Sequence, residues 1–203
     1  LRYSKILNEY RRLIKENIIG KQIYVDIKYS SFLPDWRKNI NYKNSVSSNY
    51  NLGGGALLEL SHELDYANWL FGPFTEIKAI RNNTKQLEID VEDIVKLIAI
   101  NKNRCLINIH LDFSSKISER YCCLNGSKGF IKLDFINNKI SSKLNIEKGI
   151  KSYKIESNYN DMFINQMKHF FKCIENNIKP LVTLEESAEI MRMIKICKSS
   201  PLN

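Results

Sequence analysis

The spacing of apolar residues changes several times along the chain, and each spacing predicts a kind of element. Over positions 3–17 apolar side chains recur every three or four residues, which predicts an amphipathic helix. Positions 23–30 alternate and are rich in β-forming residues, which predicts a strand. Positions 56–71 are strongly apolar and stop at Gly72-Pro73, which predicts a helix with a sharp end.

Between positions 74 and 155 the pattern is that of short strands separated by turn residues such as paired asparagines and Asn125-Gly126. Consecutive strands joined by short turns favour an antiparallel or mixed sheet over β-α-β units. Two helices are predicted to follow, the second with a capping box formed by Thr183 and Glu186. The predicted strands are 75–80, 91–101, 105–113, 120–124, 130–135 and 153–155, and the two helices are 159–176 and 183–199.

Positions 33–52 form a long polar and aromatic segment without a clear period. Loops of about 20 residues are uncommon in compact domains and are usually functional or disordered. The aromatic residues and the charged pair Asp35 and Arg37 favour a functional loop. Trp36 could stack on a sugar ring, and anchoring of the loop to the core accounts for it equally well.

The 203 residues are 43% hydrophobic, which is enough for one sizeable core, so we expect one domain over 1–203. The net charge of +9 permits binding to nucleic acid or a membrane surface. Basic residues are, however, mixed with acidic ones along the chain, and a solvated basic surface is the simpler interpretation. We find no leader and no apolar run near the roughly 18–20 residues that span a bilayer.

The five cysteines are odd in number, have apolar neighbours and form no Cys-x-x-Cys pair. This predicts reduced, buried thiols in a cytoplasmic protein, with neither a disulfide framework nor a zinc site. The chain begins at Leu1 instead of Met, which suggests that it starts inside a longer protein.

The densest candidate chemistry lies around the start of the helix predicted at 56–71. Gly53–Gly55 let the backbone approach another group closely. Glu59, His62 and, more loosely, Asp65 recur every three residues and therefore share one side of a helix. A histidine with a carboxylate one turn away suits general acid–base chemistry, because imidazole titrates near neutrality and the carboxylate fixes its tautomer.

A catalytic role for His62 competes with a structural role and with a metal site. On composition alone, a core histidine satisfied by its neighbours is as good an interpretation. A metal site is weaker, because Tyr66 holds the position where the hydrolytic His-Glu-x-x-His pattern needs its second histidine. Of the other histidines, His110 lies in an alternating strand and His169 on the surface of a helix, so both are weaker candidates.

The segment Gly53–Gly72, which reads GGGALLELSHELDYANWLFG, closely resembles the signature of the glucose-fructose oxidoreductase / inositol dehydrogenase (Gfo/Idh/MocA) family. Leu1-Arg2-Tyr3, a helix and Ile19-Gly20-Lys21 are similar to that family's entry into its second domain. Arg120–Gly129 is similar to its Arg, strand, Gly-x-x-Gly hairpin. The last two predicted helices also match, so the resemblance spans essentially the whole chain.

The resemblance implies an α+β fold: a large, mostly antiparallel or mixed open sheet with helices packed on one face, as in the C-terminal domain of glyceraldehyde-3-phosphate dehydrogenase. It implies hydride transfer between NAD or NADP and a hydroxyl carbon of a sugar, nucleotide-sugar or cyclitol. His62 would accept or donate the proton at the reacting oxygen, and Glu59 would orient His62 or the substrate. The implied partners are the sugar and further copies of the chain joined through the sheet, with no nucleic acid and no membrane.

The same resemblance suggests further binding residues. The loop at Phe32–Trp36 is similar to one found in nucleotide-sugar and polysaccharide members, so Asp35, Trp36 and Arg37 are predicted to bind substrate together with Asp65. Gly54 and Gly55 are predicted to approach the cofactor, and no metal ligand is predicted.

Two departures from the family pattern affect these expectations. Glu59 stands where Asp is usual, and its spacing to His62 is one residue shorter than in the commonest form. The Gly-x-Gly-x-x-Gly fingerprint and the Glu-Lys-Pro lysine belong to an N-terminal Rossmann domain that this sequence lacks. We therefore expect no tight NAD(P) binding and no turnover by this chain alone. The alternatives are a non-catalytic sugar-binding or oligomeric scaffold and, after it, a hydrolase or metal enzyme built on His62.

Overall fold

The structure is a computed structural model that describes residues 1–202, in which eight strands form one sheet. The strands are β1 (Gln22–Phe32), β2 (Phe74–Asn82), β3 (Ile94–Asn101), β4 (Leu106–Asp112), β5 (Ser114–Gly126), β6 (Gly129–Asp134), β7 (Lys139–Leu144) and β8 (Lys151–Lys154). Their order is β2-β3-β4-β1-β5-β6-β7-β8. Neighbouring strands are antiparallel except β1 and β4, which are parallel, so the predicted mixed open sheet is confirmed.

Five helices accompany the sheet: α1 (Lys5–Lys15), α2 (Ala56–Glu59), α3 (Ser61–Phe71), α4 (Tyr159–Asn176) and α5 (Leu184–Lys198). Helix α1 contacts β6 and β7, α2 contacts β3 and β4, and α5 contacts β2. The bounds predicted for α4 are confirmed, and so is the Thr183–Glu186 capping box of α5.

The alternation predicted for the strands gives the sheet one apolar and one mixed face. Ile27 on β1 lies opposite Ile109 on β4 and Cys122 on β5, and all three are buried. The preceding residue of β1, Asp26, faces the other side, where it accepts a hydrogen bond from Asn108 at 3.0 Å. The core therefore fills the space between the inner face and the helices, and the outer face is open.

The helix predicted over 56–71 is interrupted at Leu60, whose φ of -101° and ψ of 19° end α2 before α3 begins. Buried Glu92 holds the first turn of α2, because its carbonyl accepts from the Ala56 N–H and its carboxylate from the Leu57 N–H. Helix α2 ends at Glu59, and α3 begins at Ser61. The prediction of one continuous helix was wrong.

Three polar segments differ from the sequence predictions. Strand β7 was missed because Lys and Ser fill most of its positions and Ile140 is its fully buried residue. Strand β5 begins six residues before its predicted start, in the polar stretch from Ser114. The segment 33–52 is a series of four short 3-10 turns, in which the Ser48 hydroxyl hydrogen-bonds to the carbonyls of Tyr42 and Lys43.

Helix α4 contributes no buried residue, although it is 18 residues long and rich in apolar side chains. Those side chains form what we call the α4 apolar face, each at least 47% exposed: Phe163, Met167, Phe170, Phe171 and Ile174. Across residues 1–202, no helix combines the length and the apolar content needed to cross a membrane.

Candidate functional site

A polar cluster forms where the first turn of α3 faces the inner side of the sheet. Helix α3 supplies His62 and Glu63, β1 supplies Tyr29, and β5 supplies Arg120. Tyr29 and Arg120 are directly opposite each other in the antiparallel pairing of β1 and β5. Both follow the alternation of the buried residues on their strands, so their side chains point toward the helices.

One carboxylate oxygen, Glu63 Oε1, connects the members of this cluster. Arg120 donates to it from Nε at 2.8 Å and from Nη2 at 2.5 Å, and His62 Nε2 lies 3.4 Å from it. The Arg120 guanidinium also lies 4.7 Å from the centre of the Tyr29 ring and 4.9 Å from that of Phe135. The His62 ring packs on Tyr29 with 5.8 Å between centroids. The guanidinium is therefore fixed by one carboxylate and two aromatic rings.

Burial and charge change the acid–base properties of the cluster. Glu63 has no exposed surface, and burial raises the pKa of its carboxyl while Arg120 opposes that rise. Burial lowers the pKa of His62 to about 3, and the positive charge of Arg120 acts in the same direction. The imidazole is therefore neutral at neutral pH, with 37% of its side chain exposed and able to meet a ligand.

Glu59 does not make the contact with His62 that the sequence suggested. It is half-buried, and its carboxylate forms no hydrogen bond or ion pair with any residue in 1–202. Glu63 makes the contact instead, because the break at Leu60 changes the relation between α2 and α3. A role for Glu59 in orienting the substrate stays a prediction.

Asp65 is engaged in a separate set of ion pairs. Arg2 is almost fully buried and binds both oxygens of Asp65, with Nη2 at 2.7 Å and Nε at 3.2 Å. Arg2 also reaches Glu186 on α5 at 3.0 Å. Asp65 thus joins the start of the chain to α3 and α5, and its predicted contact with substrate stays a prediction.

The three loop residues predicted to bind substrate have different surroundings. Trp36 donates from Nε1 to the Ser31 hydroxyl at 2.8 Å, stacks on Tyr29 at 6.4 Å and meets Phe113 edge-on at 5.2 Å. These contacts support the interpretation that Trp36 anchors the loop. They also place Trp36 near His62, because Tyr29 packs on both rings. Asp35 and Arg37 are exposed, and within 1–202 their side chains form no hydrogen bond or ion pair.

Gly54 and Gly55 pack within the loop, and the cofactor contact predicted for them stays a prediction. The Gly54 N–H donates to the Asn49 carbonyl and the Gly55 N–H to the Ser47 carbonyl, each at 2.9 Å. A Cβ on Gly54 would lie 2.4 Å from a loop carbonyl oxygen, and one on Gly55 2.5 Å from Glu92 Oε1. The glycines allow the loop to pack tightly on α2, and their amides are already used, so they form no phosphate cradle.

The other histidines and the cysteines lie outside this cluster. His110 faces the open side of the sheet, with Nε2 3.5 Å from Asp112. His169 is half-buried on α4, and its ring accepts a hydrogen bond from the Leu181 N–H at 3.0 Å. The five cysteines are free thiols. In the part of the chain that the structure describes, no three His, Cys, Asp or Glu side chains gather as a metal site would require.

The sequence patterns did not identify Glu63, Arg120 and Tyr29 as members of the site. A signal for two of them was present. Glu63 falls among the buried positions of α3, and Arg120 has the parity of the buried residues Cys122 and Leu124 on β5. Opposite charges at core positions of two elements indicate a buried ion pair, because an unpaired buried charge is costly.

Known proteins share the fold of this chain. A family model described as the oxidoreductase family, C-terminal alpha/beta domain, matches residues 11–201. No sequence among curated proteins matches significantly. An NAD binding oxidoreductase from Klebsiella pneumoniae is 14% identical with a TM-score of 0.83, over 98% of this chain and 61% of that one.

Two further solved structures are similar. A levoglucosan dehydrogenase in complex with NADH and levoglucosan is 15% identical with a TM-score of 0.83, over 98% of this chain and 62% of that one. An aldose-aldose oxidoreductase from Caulobacter crescentus, complexed with glycerol, is 16% identical with a TM-score of 0.78, over 98% of this chain and 60% of that one. At these identities the likeness shows the fold alone, and this chain spans about three fifths of each neighbour. Because the family model covers nearly all of the sequence, the chain belongs to the oxidoreductase family through its C-terminal alpha/beta domain.

Proposed function

We propose that this chain is the substrate-binding half of an NAD- or NADP-dependent oxidoreductase that acts on a hydroxyl group of a sugar, nucleotide-sugar or cyclitol. The observation that carries the proposal is the partly exposed, neutral His62 held against Tyr29 beside a fixed guanidinium, on a domain of an oxidoreductase family. Solved neighbours were obtained with NAD+, NADH or NADP, and some with levoglucosan or glycerol.

A separate dinucleotide-binding domain would hold the cofactor, whose nicotinamide supplies the hydride acceptor or donor. The amides of Gly54 and Gly55 are used within the loop, so this chain offers no phosphate cradle there. The solved neighbours have about two fifths of their length outside the match, which is room for such a domain. We propose that this chain alone does not turn over substrate, as expected of one half of a two-domain site.

The α4 apolar face supports a second domain beside His62. Met167 and Phe170 line a groove of about 400 Å³ together with Arg2 and Asp65, so this face continues to the helix that carries His62. Exposed apolar patches of this kind mark interaction surfaces. A domain docked on α4 would cover the patch and bring its cofactor close to the cluster.

The open face of the sheet supports association between copies of this chain. Tyr24 and Leu106 are direct neighbours there, and Ile98 is 53% exposed on the same face. An exposed apolar sheet face favours pairing with a like surface. This observation also favours the alternative function, a sugar-binding scaffold that assembles through the sheet without catalysis.

The experiment that tests the proposal compares His62→Gln with wild type in the complex of this chain and its dinucleotide-binding domain. We expect kcat/KM for a sugar hydroxyl to fall roughly 100-fold, because the lost group contacts the reacting oxygen. His110→Gln, on the opposite face of the sheet, is the matched control and should keep the rate. An unchanged rate in His62→Gln would reject the catalytic proposal and leave the scaffold.

A further inference from the structure

The charges in the His62 cluster oppose protonation of the imidazole. Among the described residues Glu63 is the carboxylate that contacts His62, and Arg120 already neutralises it through two hydrogen bonds to the same oxygen. A proton on His62 would add a second positive charge to a largely buried site with a single negative one. A second positive charge that no further carboxylate balances is unfavourable in a partly buried site.

Each element that packs on His62 contributes to the charge around the imidazole. Strand β1 presents the ring of Tyr29, which is neutral because burial raises the pKa of its hydroxyl. Strand β5 presents the Arg120 guanidinium, and helix α3 presents Glu63. Arg120 is the one of these that the fold holds rigidly, between Tyr29 and Phe135.

We propose that Arg120, anchored by Glu63, is a positioning residue that keeps His62 uncharged, so that His62 acts on the substrate hydroxyl as a hydrogen-bonding group and not as the proton acceptor. A general base works best when its pKa lies near the working pH, and an imidazole held neutral far below that range is a weak base. A neutral imidazole still donates or accepts one hydrogen bond at each nitrogen and can orient a hydroxyl.

The inference rests on the proposed function for its chemical meaning, and it completes the proton balance. Oxidation of a hydroxyl carbon removes a hydride and a proton. A bound nicotinamide cofactor would take up the hydride, and the proton would pass to an amine or carboxylate side chain of the dinucleotide-binding domain. His62 holds the hydroxyl in place during both transfers and ends the reaction in the protonation state in which it began.

The test follows the His62 Cε1–H resonance by NMR as the pH of the 203-residue chain is changed, a readout that needs no turnover. The chain has three histidines, and His62→Gln identifies the resonance. In wild type we expect no titration of His62 between about pH 5 and 8. In Arg120→Met the midpoint should rise by about one unit or more, because the repelling charge is gone. Arg120→Lys, which keeps the charge, is the matched control, and His62 should not titrate in this variant, as in wild type.

Each outcome decides the proposal. Silence in wild type and Arg120→Lys with titration in Arg120→Met supports it. A wild-type midpoint near about 6.5 overturns it. So does an Arg120→Met protein in which His62 does not titrate, since burial alone would then keep the imidazole neutral.

The resonances of His110 and His169 report whether each variant is folded. If Arg120→Met does not fold, Arg120→Gln replaces it with the same expected upward movement, because the Gln amide can donate to Glu63 without carrying a charge. Loss of turnover in His62→Gln together with a titrating wild-type His62 would retain the proposed function and reject only this inference.

Discussion

Helix α3 carries two carboxylates two residues apart, Glu63 and Asp65, and each binds a largely buried arginine. Arg2 uses both oxygens of Asp65 and adds Glu186, so two negative charges surround one positive charge. Arg120 uses a single oxygen of Glu63, whose Oε2 is buried without a hydrogen-bond partner. The first arrangement satisfies its groups and joins three parts of the chain. The second leaves Glu63 Oε2 without a hydrogen bond and places the positive charge of Arg120 close to His62.

The difference shows how to separate a structural ion pair from one at a functional site. Both arginines are held firmly, and burial alone does not distinguish them. The two arginines differ in the group that lies beside each ion pair. Around Arg2 that neighbour is the Trp69 ring, 5.5 Å from its guanidinium, whereas Arg120 shares its carboxylate oxygen with the partly exposed imidazole of His62.

The largest effect on stability is expected from Arg120→Met. This change leaves Glu63, which has no exposed surface, as an unpaired buried carboxylate, and removing one partner of a buried pair costs about 3–5 kcal/mol in the free energy of unfolding. Urea unfolding followed by circular dichroism measures the loss. The double variant Arg120→Met/Glu63→Met should recover most of it, because two apolar side chains replace the pair. A loss below about 1 kcal/mol would mean that solvent reaches Glu63.

A smaller loss is expected from Arg2→Met. The carboxylates that Arg2 leaves behind are partly exposed, Asp65 at 25% and Glu186 at 42%, so water replaces much of what they lose. We expect about 1–3 kcal/mol by urea unfolding, less than for Arg120→Met. Arg12→Met on the exposed side of α1 is the control and should unfold at the wild-type urea concentration. If Arg2→Met proved the more damaging of the two changes, the contrast between the pairs would be reversed.

Local patterns in the sequence predicted most of the fold. The ends of α4 and the cap of α5 follow from Asn, Thr and acidic residues at fixed offsets, and the inner face of the sheet follows from the alternation around Ile27 and Ile109. The break at Leu60 was missed because it depends on a distant residue. Glu92, about 30 residues further along the chain, accepts hydrogen bonds from the Ala56 and Leu57 amides. Strand β7 was missed because pairing, and not composition, makes its polar residues a strand.

The site was predictable only where a motif carried it. His62 was found from the glycine-rich segment and its resemblance, whereas Glu63 and Arg120 belong to the site through a contact that spans 57 residues of sequence. Charged residues at core positions indicate a buried ion pair. Which charges pair depends on the contact of α3 with β5, which the tertiary structure establishes. Glu59 does not contact His62 for a related reason, since the helical spacing assumed a continuous helix through Leu60.

The smallest effect is expected in the pH dependence of stability, and it tests the His62 side of the comparison. The pKa of His62 is lowered from 6.5 to about 3 on folding, so between these values the unfolded chain binds the proton that the folded chain refuses. The free energy of unfolding should therefore decrease as the pH is lowered through that window. Because the ring is 37% exposed, we expect about 1 kcal/mol between pH 7 and pH 5. His62→Gln lacks this contribution and should lose less stability than wild type over the same interval, measured by urea unfolding at both pH values. Equal losses in the two proteins would show that His62 is protonated as easily in the folded chain as in the unfolded one, and Arg120 would then be, like Arg2, a structural partner of α3.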